Sequence, residues 1–456
     1  MKEHIKEQFK INGFCVFTKV LSLDECNHGL DLVWDFIEAA SAAERYITMS
    51  KNNATATNGD DNGDDNRVTD ADDDDDDDDS LSRSIFSLPP PIQRDNPTTH
   101  HETEYSPRQA FGILPFYGSG HTQFMWYLRT RPSIQTVFTS LHNAILGNYD
   151  DVISCNSTIQ TPKAGTGEDL ATSLDGMIAW IEEEEEEEEE EDQHSKLKAQ
   201  QDTGTDSGWF HIDQNPITKP KYESVQGLVN LLPVTKATGG NVLVRKSHLF
   251  FPDHYCCQND KNIENQRSKE IPSLFYADRL KEIDGDDWLE IDPYDTELLD
   301  PDNVIACMLN PGDVLIWDSR LVHCSYPACN DDIEYNSESQ CEEIPFESGS
   351  GNVGAECDIS SSLSNRRSLT RVAGLINMTT KSRVSDEIRC QRKDAINRCR
   401  TLTHWVNKAA PLGEERTQEV QIERKCIEFI KELQTRGERK ILLSYDDLTV
   451  EQQRLV

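Results

Sequence analysis

The sequence contains no run of about 18 apolar residues, which is the length that an α-helix needs to cross a membrane. Its first residues, Met-Lys-Glu-His-Ile-Lys-Glu, are charged and lack the apolar character of a secretory signal. Its last residues, Gln-Arg-Leu-Val, differ from the Ser-Lys-Leu type of peroxisomal address. We therefore expect a protein without a membrane span that resides in the cytoplasm.

Cysteine motifs are also missing. The 13 cysteines are scattered along 456 residues and form no Cys-x-x-Cys pair. In a chain of this length, the pattern favours free thiols in a reducing compartment over a disulfide framework.

Positive charge is scarce, because 45 lysines and arginines face 83 aspartates and glutamates, which gives a formal net charge of −38. The runs Asp72–Asp79 and Glu182–Asp192 contribute 19 of these charges, and the rest of the chain is still acidic. Such a surface repels phosphate backbones and anionic lipids, so we expect neither nucleic acid nor membrane as a partner. A small-molecule substrate is the expected partner, and the composition leaves the oligomeric state open.

Short apolar segments dominate the second half of the chain. They are bounded by glycine, proline and asparagine, as the strands of a barrel or sandwich are. The segments are Val225–Leu232, Asn241–Val244, Val304–Leu309, Asp313–Trp317 and Arg371–Met378. Near the N-terminus, Phe9–Phe17 predicts a helix end that runs into a strand, with Gly13 as the break. Helical spacing follows at Leu23–Ala43, where Ser22 or Asp24 is the candidate cap, and again at Thr417–Gln434.

The most informative motif is Trp209-Phe-His-Ile-Asp213. Side chains two apart in a strand point to the same face, so His211 and Asp213 can offer a nitrogen and an oxygen to one metal ion. A third ligand must come from elsewhere, and His323 is the candidate because it follows a strand opened by a Pro-Gly turn. Two histidines and one carboxylate leave open positions and suit non-heme iron(II). A lone His-Asp pair is more often a surface hydrogen bond.

The order of four blocks resembles the phytanoyl-CoA dioxygenase family of iron and 2-oxoglutarate oxygenases. The first block is Phe9–Phe17, and the second runs from Trp209 through His211 and Asp213 to Pro216. The third, Gly239-Gly-Asn-Val-Leu-Val-Arg-Lys-Ser-His248, is similar to the family's G-G-x-L-x-x-x-P-G-S-H segment. The fourth runs from Pro311 to His323. Together the blocks cover about half of the chain, and the low-complexity stretches match nothing.

The resemblance implies a mainly β fold with flanking helices, a double-stranded β-helix (jelly-roll, cupin-like barrel) interrupted by disordered acidic insertions. It also implies Fe(II), 2-oxoglutarate and O2 as cofactor and co-substrates, with hydroxylation and release of succinate and CO2. Halogenating relatives lack the carboxylate that Asp213 supplies. The implied catalytic domain begins with an N-terminal part at 1–45, continues with helical support at 106–154 and has its β core at 206–410. A disordered acidic insertion at 46–105, a poly-Glu insertion at 155–205 and polar insertions near 252–302 and 328–365 interrupt it. A C-terminal helical extension follows at 411–456.

Members of the family bind the far carboxylate of 2-oxoglutarate with an arginine that follows the distal histidine closely in the sequence. Arg371 departs from this spacing, because it lies 48 positions after His323. Removing the acidic, Ser/Gly-rich stretch 331–364 as a looped-out insertion reduces the separation to 14, which is close to the family's. A guanidinium matches a carboxylate with two hydrogen bonds, and Ser325 stands where the family often has an assisting hydroxyl. Arg367 is the alternative.

Other polar residues carry weaker signals. Gln226 and Asn230 share a strand face and either contact the co-substrate or substrate, or make structural hydrogen bonds. We interpret His248 as structural, and we expect Arg320 to pair with Asp318 or another acid rather than face the metal. Two alternative functions stay open. One is a cupin-like metalloenzyme that does not use 2-oxoglutarate, and the other is an inactive, metal-binding scaffold whose acidic loops bind basic partners.

Overall fold

The structure is a computed structural model of the full chain. It describes residues 2–57, 90–100, 112–145, 170–181, 208–216, 218–251, 287–292, 294–296, 298–326, 343–345, 369–412, 417–437 and 439–456. In these residues the fold is mixed, with seven α-helices and three β-sheets. Within the same residues, no helix combines the length and the apolar character needed to cross a membrane.

The helices and strands are short apart from α2. In chain order the helices are α1 (Lys2–Asn12), α2 (Leu23–Thr57), α3 (Gln123–Arg129), α4 (Pro132–Ile145), α5 (Asp386–Asn397), α6 (Thr417–Arg436) and α7 (Val450–Arg454). The strands are β1 (Phe14–Thr18), β2 (Leu170–Thr172), β3 (Met177–Ile181), β4 (His211–Ile212), β5 (Val225–Asn230), β6 (Gly240–Val244), β7 (Leu289–Glu290), β8 (Val304–Cys307), β9 (Val314–Asp318), β10 (His323–Tyr326), β11 (Glu343–Pro345), β12 (Leu369–Leu375) and β13 (Met378–Thr380).

The two larger sheets share the strands of the second half of the chain. A six-stranded sheet has the order β11-β1-β9-β5-β12-β3, and a five-stranded sheet has the order β7-β4-β10-β6-β8. The third sheet is the pair β13-β2. All pairings are antiparallel except β1 with β11. In the described residues the strands thus form separate hydrogen-bonded sheets and not one closed barrel.

Successive side chains of β9 pack into different apolar cores on the two faces of the six-stranded sheet. Val314 and Ile316 pack in the largest apolar core, which also contains buried residues of α1, α2, α3 and α4. Leu315 and Trp317 point the other way, into a second core that includes Leu243 and Ile305 of the five-stranded sheet. Because neighbouring residues of a strand face opposite sides, helices cover one face and the second sheet packs on the other.

The N-terminal prediction is confirmed. Helix α1 ends at Asn12, β1 begins at Phe14, and Gly13 between them has φ +84°, a left-handed conformation that glycine adopts most readily. A Cβ at Gly13 would also lie 2.6 Å from Nδ1 of His248. Ser22 caps α2, since the Glu25 amide donates to its hydroxyl and the Glu25 carboxylate accepts from the Ser22 amide. The predicted strands and the C-terminal helix are also present.

Several boundaries differ from the prediction: residues 90–100 lie in the stretch predicted as disordered and include the buried Ile92, and β7 lies in the insertion predicted near 252–302. Helix α2 runs past Ala43 to Thr57, into the stretch predicted as disordered. Residues 170–181, predicted as part of a poly-Glu insertion, form β2 and the buried β3 at the edge of the six-stranded sheet. Strand β11, within the insertion predicted near 328–365, pairs with β1. In each case a short structured segment adjoins a charged or polar run, and composition averaged over the whole stretch conceals it.

Candidate metal centre

Strand pairing brings the three predicted metal ligands together. His211 of β4 lies directly opposite His323 of β10, and Asp213 follows β4. The Asp213 Oδ2 atom is 3.2 Å from Nε2 of His323 and 3.7 Å from Nε2 of His211. One ligand atom from each residue lies within 4.8 Å of the others, which is the compactness that a shared ion requires. We call His211, Asp213 and His323 the metal cluster.

Hydrogen bonds to backbone carbonyl oxygens fix the orientation of both imidazoles. Nδ1 of His323 is 2.9 Å from the carbonyl oxygen of Leu321, and Nδ1 of His211 is 3.2 Å from that of Trp209. A carbonyl oxygen only accepts, so each Nδ1 carries the hydrogen and donates it. Each Nε2 then faces Oδ2 of Asp213, on the side where a metal ion would be held. This is the usual arrangement around metal-binding histidines, in which the second nitrogen is held by a backbone or carboxylate acceptor.

The electrostatics of the cluster favour its metal-binding protonation state. Burial raises the pKa of the Asp213 carboxyl, but the two imidazoles beside it outweigh burial and hold that pKa well below its usual range. Burial and the neighbouring His211 lower the pKa of His323, and Asp213 offsets only part of this. An ionised carboxylate and a neutral imidazole are the forms that bind a divalent metal.

Aromatic rings pack against the two histidines. The Trp209 ring stacks on His211 with centroids 4.5 Å apart and planes 10° from parallel. The Trp317 ring lies 5.3 Å from that of His323, at a tilt. These contacts restrict rotation of both imidazoles, so the ligand atoms stay converged without a metal to hold them. Two nitrogens and one carboxylate oxygen form a donor set that fits Fe(II) and related first-row ions.

Gln226 of β5 reaches the metal cluster from the other sheet. Its Nε2 donates to Oδ2 of Asp213 at 2.8 Å, which orients the carboxylate. Asn230, four residues along, does not join it. The Asn230 amide nitrogen donates to the carbonyl oxygens of Leu232 at 2.6 Å and Asn310 at 3.0 Å, so this side chain holds turns together. Of the two predicted residues, Gln226 contacts the metal cluster, whereas the Asn230 amide nitrogen makes structural hydrogen bonds.

Arg371 is buried on β12, next to the edge strand β3 of the six-stranded sheet, with 2% of its surface exposed. It lies opposite Trp180 in the β12–β3 register, and its guanidinium sits 4.5 Å above the Trp180 ring. One amino group donates to Oδ1 of Asn241 on the five-stranded sheet, while the other, Nη1, has no hydrogen-bond partner among the described residues. Within that part of the chain no carboxylate pairs with Arg371. Burial lowers the pKa of Arg371 to about 10, so it stays charged at neutral pH.

Ser325 connects the arginine to the metal cluster. It is buried, lies opposite Asn241 in the β10–β6 register and is two residues beyond His323 on the same strand. Residues two apart share a face and are about 7 Å apart along a strand. Ser325 and the Asn241 partner of Arg371 therefore lie on the face that carries the His323 ligand. We call Arg371, Trp180, Asn241 and Ser325 the Arg371 pocket.

The remaining predicted residues also have defined positions. Arg320 makes a two-pronged ion pair with Asp318, with nitrogen–oxygen distances of 2.9 and 2.7 Å, as expected. Nε2 of His248 is 3.2 Å from the carbonyl oxygen of Lys10, which agrees with a structural role. Arg367, the alternative to Arg371, lies outside the described residues.

Sequence reasoning missed two members of the Arg371 pocket. Trp180 lies in the apolar segment Met-Ile-Ala-Trp-Ile directly before the poly-Glu run. Because that run dominates the composition of the stretch, the segment is predicted as part of an insertion. Asn241 is part of the Gly239–His248 block, where the resemblance gave it no role. An isolated five-residue apolar segment beside a charge run is the signal that could have identified β3.

Comparisons with known proteins give distant similarities. No protein-family model matches the chain. A curated protein from Aspergillus versicolor, "Ava biosynthesis cluster protein O", is 25% identical over 234 residues, which cover 51% of this chain. The aligned part spans 58% of that protein, a little over half of its length.

Two solved structures illustrate the structural similarities. The epimerase SnoN, in complex with Fe3+, alpha ketoglutarate and nogalamycin RO, shares 11% identity at a TM-score of 0.32 and covers 83% of both chains. EvdO2 from Micromonospora carbonacea var. aurantiaca, complexed with 2-oxoglutarate, shares 10% identity at a TM-score of 0.31 and covers 83% of this chain and 91% of its own.

Proposed function

We propose that this chain is an Fe(II)- and 2-oxoglutarate-dependent oxygenase of the phytanoyl-CoA dioxygenase type. The observation that carries the proposal is a buried cation, Arg371, for which the described residues supply no anion and which donates to Asn241 of the sheet that carries the metal cluster. A buried guanidinium with an unsatisfied amino group is costly unless a ligand completes it. A dicarboxylate that reaches from the metal cluster to Arg371 would do so.

Each residue has a role in this proposal. His211, Asp213 and His323 would hold the iron, and Gln226 would orient the Asp213 carboxylate. Arg371 and Ser325 would bind the far carboxylate of 2-oxoglutarate, with Trp180 and Asn241 fixing the guanidinium. When bound, iron would supply the oxidation, coupling O2 and the decarboxylation of 2-oxoglutarate to succinate and CO2 with hydroxylation of a C–H bond. The protein would contribute positioning and a site shielded from water.

The order of strands supports a double-stranded β-helix as the scaffold. Eight strands divide evenly between the two sheets: β3, β5, β9 and β12 belong to the larger one, which β1 and β11 extend, and β4, β6, β8 and β10 to the smaller, which β7 extends. Eight antiparallel strands shared between two facing sheets are what a jelly roll contains. The metal cluster and the Arg371 pocket would then lie between the two sheets, where such barrels hold their ligands.

We propose a small organic or lipid-derived compound as the substrate, in the cytoplasm and without nucleic acid or membrane as a partner. The exclusion of these partners rests on the acidic composition alone. The presence of Asp213 favours oxygenation over halogenation, because a halide would need the position that the carboxylate takes.

The proposal can be tested on the purified full chain without knowing its substrate. Anaerobic addition of Fe(II) and then 2-oxoglutarate should produce a visible charge-transfer absorption that neither compound gives alone. In air, succinate should form, and a metabolite library screened by succinate production should identify the compound that accelerates it. Iron binding without the 2-oxoglutarate absorption would favour the cupin-like alternative. Absence of iron binding would overturn the proposal together with its metal cluster.

A further inference from the structure

A half-buried group of opposite charges, Lys219, Lys408 and Asp287, lies beside the metal cluster. We call it the lysine group. The ammonium groups of Lys219 and Lys408 both form ion pairs with the single carboxylate of Asp287. The Trp405 ring lies under both, 5.1 Å from the Lys219 nitrogen and 4.6 Å from that of Lys408. Burial raises the pKa of Asp287, but the two ammonium groups outweigh it and keep that pKa below its usual range. Among the described residues one carboxylate thus serves two cations, so this group carries one more positive than negative charge.

This group is attached to the loop that carries the metal ligand Asp213. The Asn215 amide donates to the Asp287 carboxylate at 3.3 Å, and the Lys219 amide donates to the Asn215 carbonyl oxygen at 2.9 Å. Asn215 is two residues beyond Asp213. The surplus charge is therefore held at a fixed place next to the metal cluster, in a protein whose net charge is −38.

His404 is positioned beside the same loop. Its side chain is 92% buried, and its Nε2 has no hydrogen-bond partner among the described residues. Asn377 donates to the His404 carbonyl oxygen and to the Ser224 hydroxyl, both at 2.9 Å. The Ser224 carbonyl oxygen accepts from the Ser319 amide at 3.1 Å, and the Ser319 carbonyl oxygen accepts from the Asp213 amide at 3.2 Å. A continuous set of hydrogen bonds thus fixes His404 relative to the metal ligand.

The charges that act on His404 come from both sides. Burial lowers the pKa of His404 to about 4, Asp213 and Asp287 oppose this, and His323 and Lys408 add to it. The His404 ring lies 4.9 Å from the Trp405 ring, which itself contacts both ammonium groups, so His404 is adjacent to the two lysines. At neutral pH its imidazole is uncharged and keeps one N–H to donate.

We propose that the substrate carries an anionic oxygen group, a carboxylate or a phosphate, that binds between Nε2 of His404 and the ammonium group of Lys408. This inference rests on the proposed function and defines the class of substrate for that site. The anion would satisfy the buried Nε2 and neutralise the surplus charge of the lysine group. Lys408 is 34% exposed along its side chain, so an entering ligand can reach it. The bound anion would hold the rest of the substrate beside the metal cluster.

The test uses inorganic phosphate and acetate as probes of the full chain, followed by tryptophan fluorescence, since Trp405 contacts both lysines. We expect a saturable response to at least one probe, and the tighter of the two identifies the head group. Lys408→Met and His404→Phe should each raise the Kd about tenfold or more, because each removes a hydrogen-bond donor to a charged group. His404→Gln, which keeps a donor, should recover most of the affinity.

Lys440→Met is the matched control, because Lys440 also pairs with one aspartate, Asp447, at 2.7 Å. It should bind both probes as the unmodified chain does. Absence of a saturable response, or an unchanged Kd in folded Lys408→Met and His404→Phe, would overturn the proposal. So would a loss of the response in Arg371→Gln alone, because the anion would then occupy the Arg371 pocket. The iron and 2-oxoglutarate absorption of the same variants reports separately on the proposed function.

Discussion

The metal cluster and the Arg371 pocket are both buried polar groups between the same two sheets, but their hydrogen bonding differs. In the metal cluster, each imidazole Nδ1 has a backbone acceptor and Asp213 accepts from Gln226. In the Arg371 pocket, the guanidinium has one amide oxygen and one aromatic ring, and Nη1 lacks a partner in the described part of the chain. The first group is oriented by the protein itself, whereas the second keeps one amino group without a partner among the described residues, where we propose that an anion binds.

This difference suggests that the two regions serve different ligands and should respond separately to substitution. A change in the metal cluster should affect the metal first and the co-substrate only through it. A change in the Arg371 pocket should affect the co-substrate and leave the metal in place. The predictions below test that separation, from the largest expected effect to the smallest.

Removing a metal ligand should have the largest effect. His211→Ala and Asp213→Ala should each abolish tight Fe(II) binding, because two remaining ligands bind a divalent ion weakly. The fold should survive, since both residues lie at the site and contribute little to the apolar core. Anaerobic iron titration followed by visible absorption measures this. His28→Ala, an exposed histidine beside Tyr127, is the control and should bind iron normally. Unchanged absorption in both ligand variants would rule out the assignment.

Arg371→Gln should raise the apparent KM for 2-oxoglutarate about tenfold to a hundredfold, because a charge-assisted pair is lost. Iron affinity should change little, which is the separation that the comparison requires. Succinate production at varied 2-oxoglutarate concentration, together with iron titration, provides both values. Arg383→Gln, which breaks an ion pair with Glu223, is the control for arginine loss. If Arg367→Gln raises the KM and Arg371→Gln does not, the co-substrate site moves to Arg367.

Gln226→Leu should weaken Fe(II) binding by about tenfold, the lower end of what loss of a residue supporting a metal ligand costs. The substitution keeps the size of the side chain and removes only the donor to Asp213. The affinity of the iron-loaded protein for 2-oxoglutarate should stay the same, since Arg371 is untouched. Iron titration of the variant gives the result. Equal iron affinity in both proteins would mean that Trp209, Trp317 and the backbone acceptors orient the ligands without Gln226.

The smallest effect concerns pH. Because Arg371 remains charged with its pKa lowered to about 10, 2-oxoglutarate affinity of iron-saturated protein should change less than about twofold between pH 6.5 and 9. Iron affinity should fall only on the acid side, as protons compete for imidazoles, and the lowered pKa of His323 shifts that loss to lower pH. Titrations across this range at fixed ionic strength measure both. A 2-oxoglutarate affinity that follows a histidine titration would show that the two regions are coupled.

Local sequence determined the parts of the site that lie close together along the chain. His211 and Asp213 are two apart, and a strand places such a pair on one face whatever the rest of the fold does. The Pro-Gly turn and the apolar segment before His323 similarly predicted a strand and a third ligand. Helix and strand periodicity identified most of the core elements for the same reason, since each pattern is local.

The tertiary structure decided everything that depends on pairing between distant segments. Trp180 meets Arg371, and Asn241 receives its hydrogen bond, because β3, β12 and β6 are brought together by sheet order and packing. His404 is likewise linked to Asp213 by four successive hydrogen bonds between segments that are distant in the sequence. No periodicity encodes such contacts, because they arise from which strands pair and how two sheets face each other. The sequence by itself determined the kinds of ligand atoms available, and only the fold determined which buried polar groups were left in need of a partner.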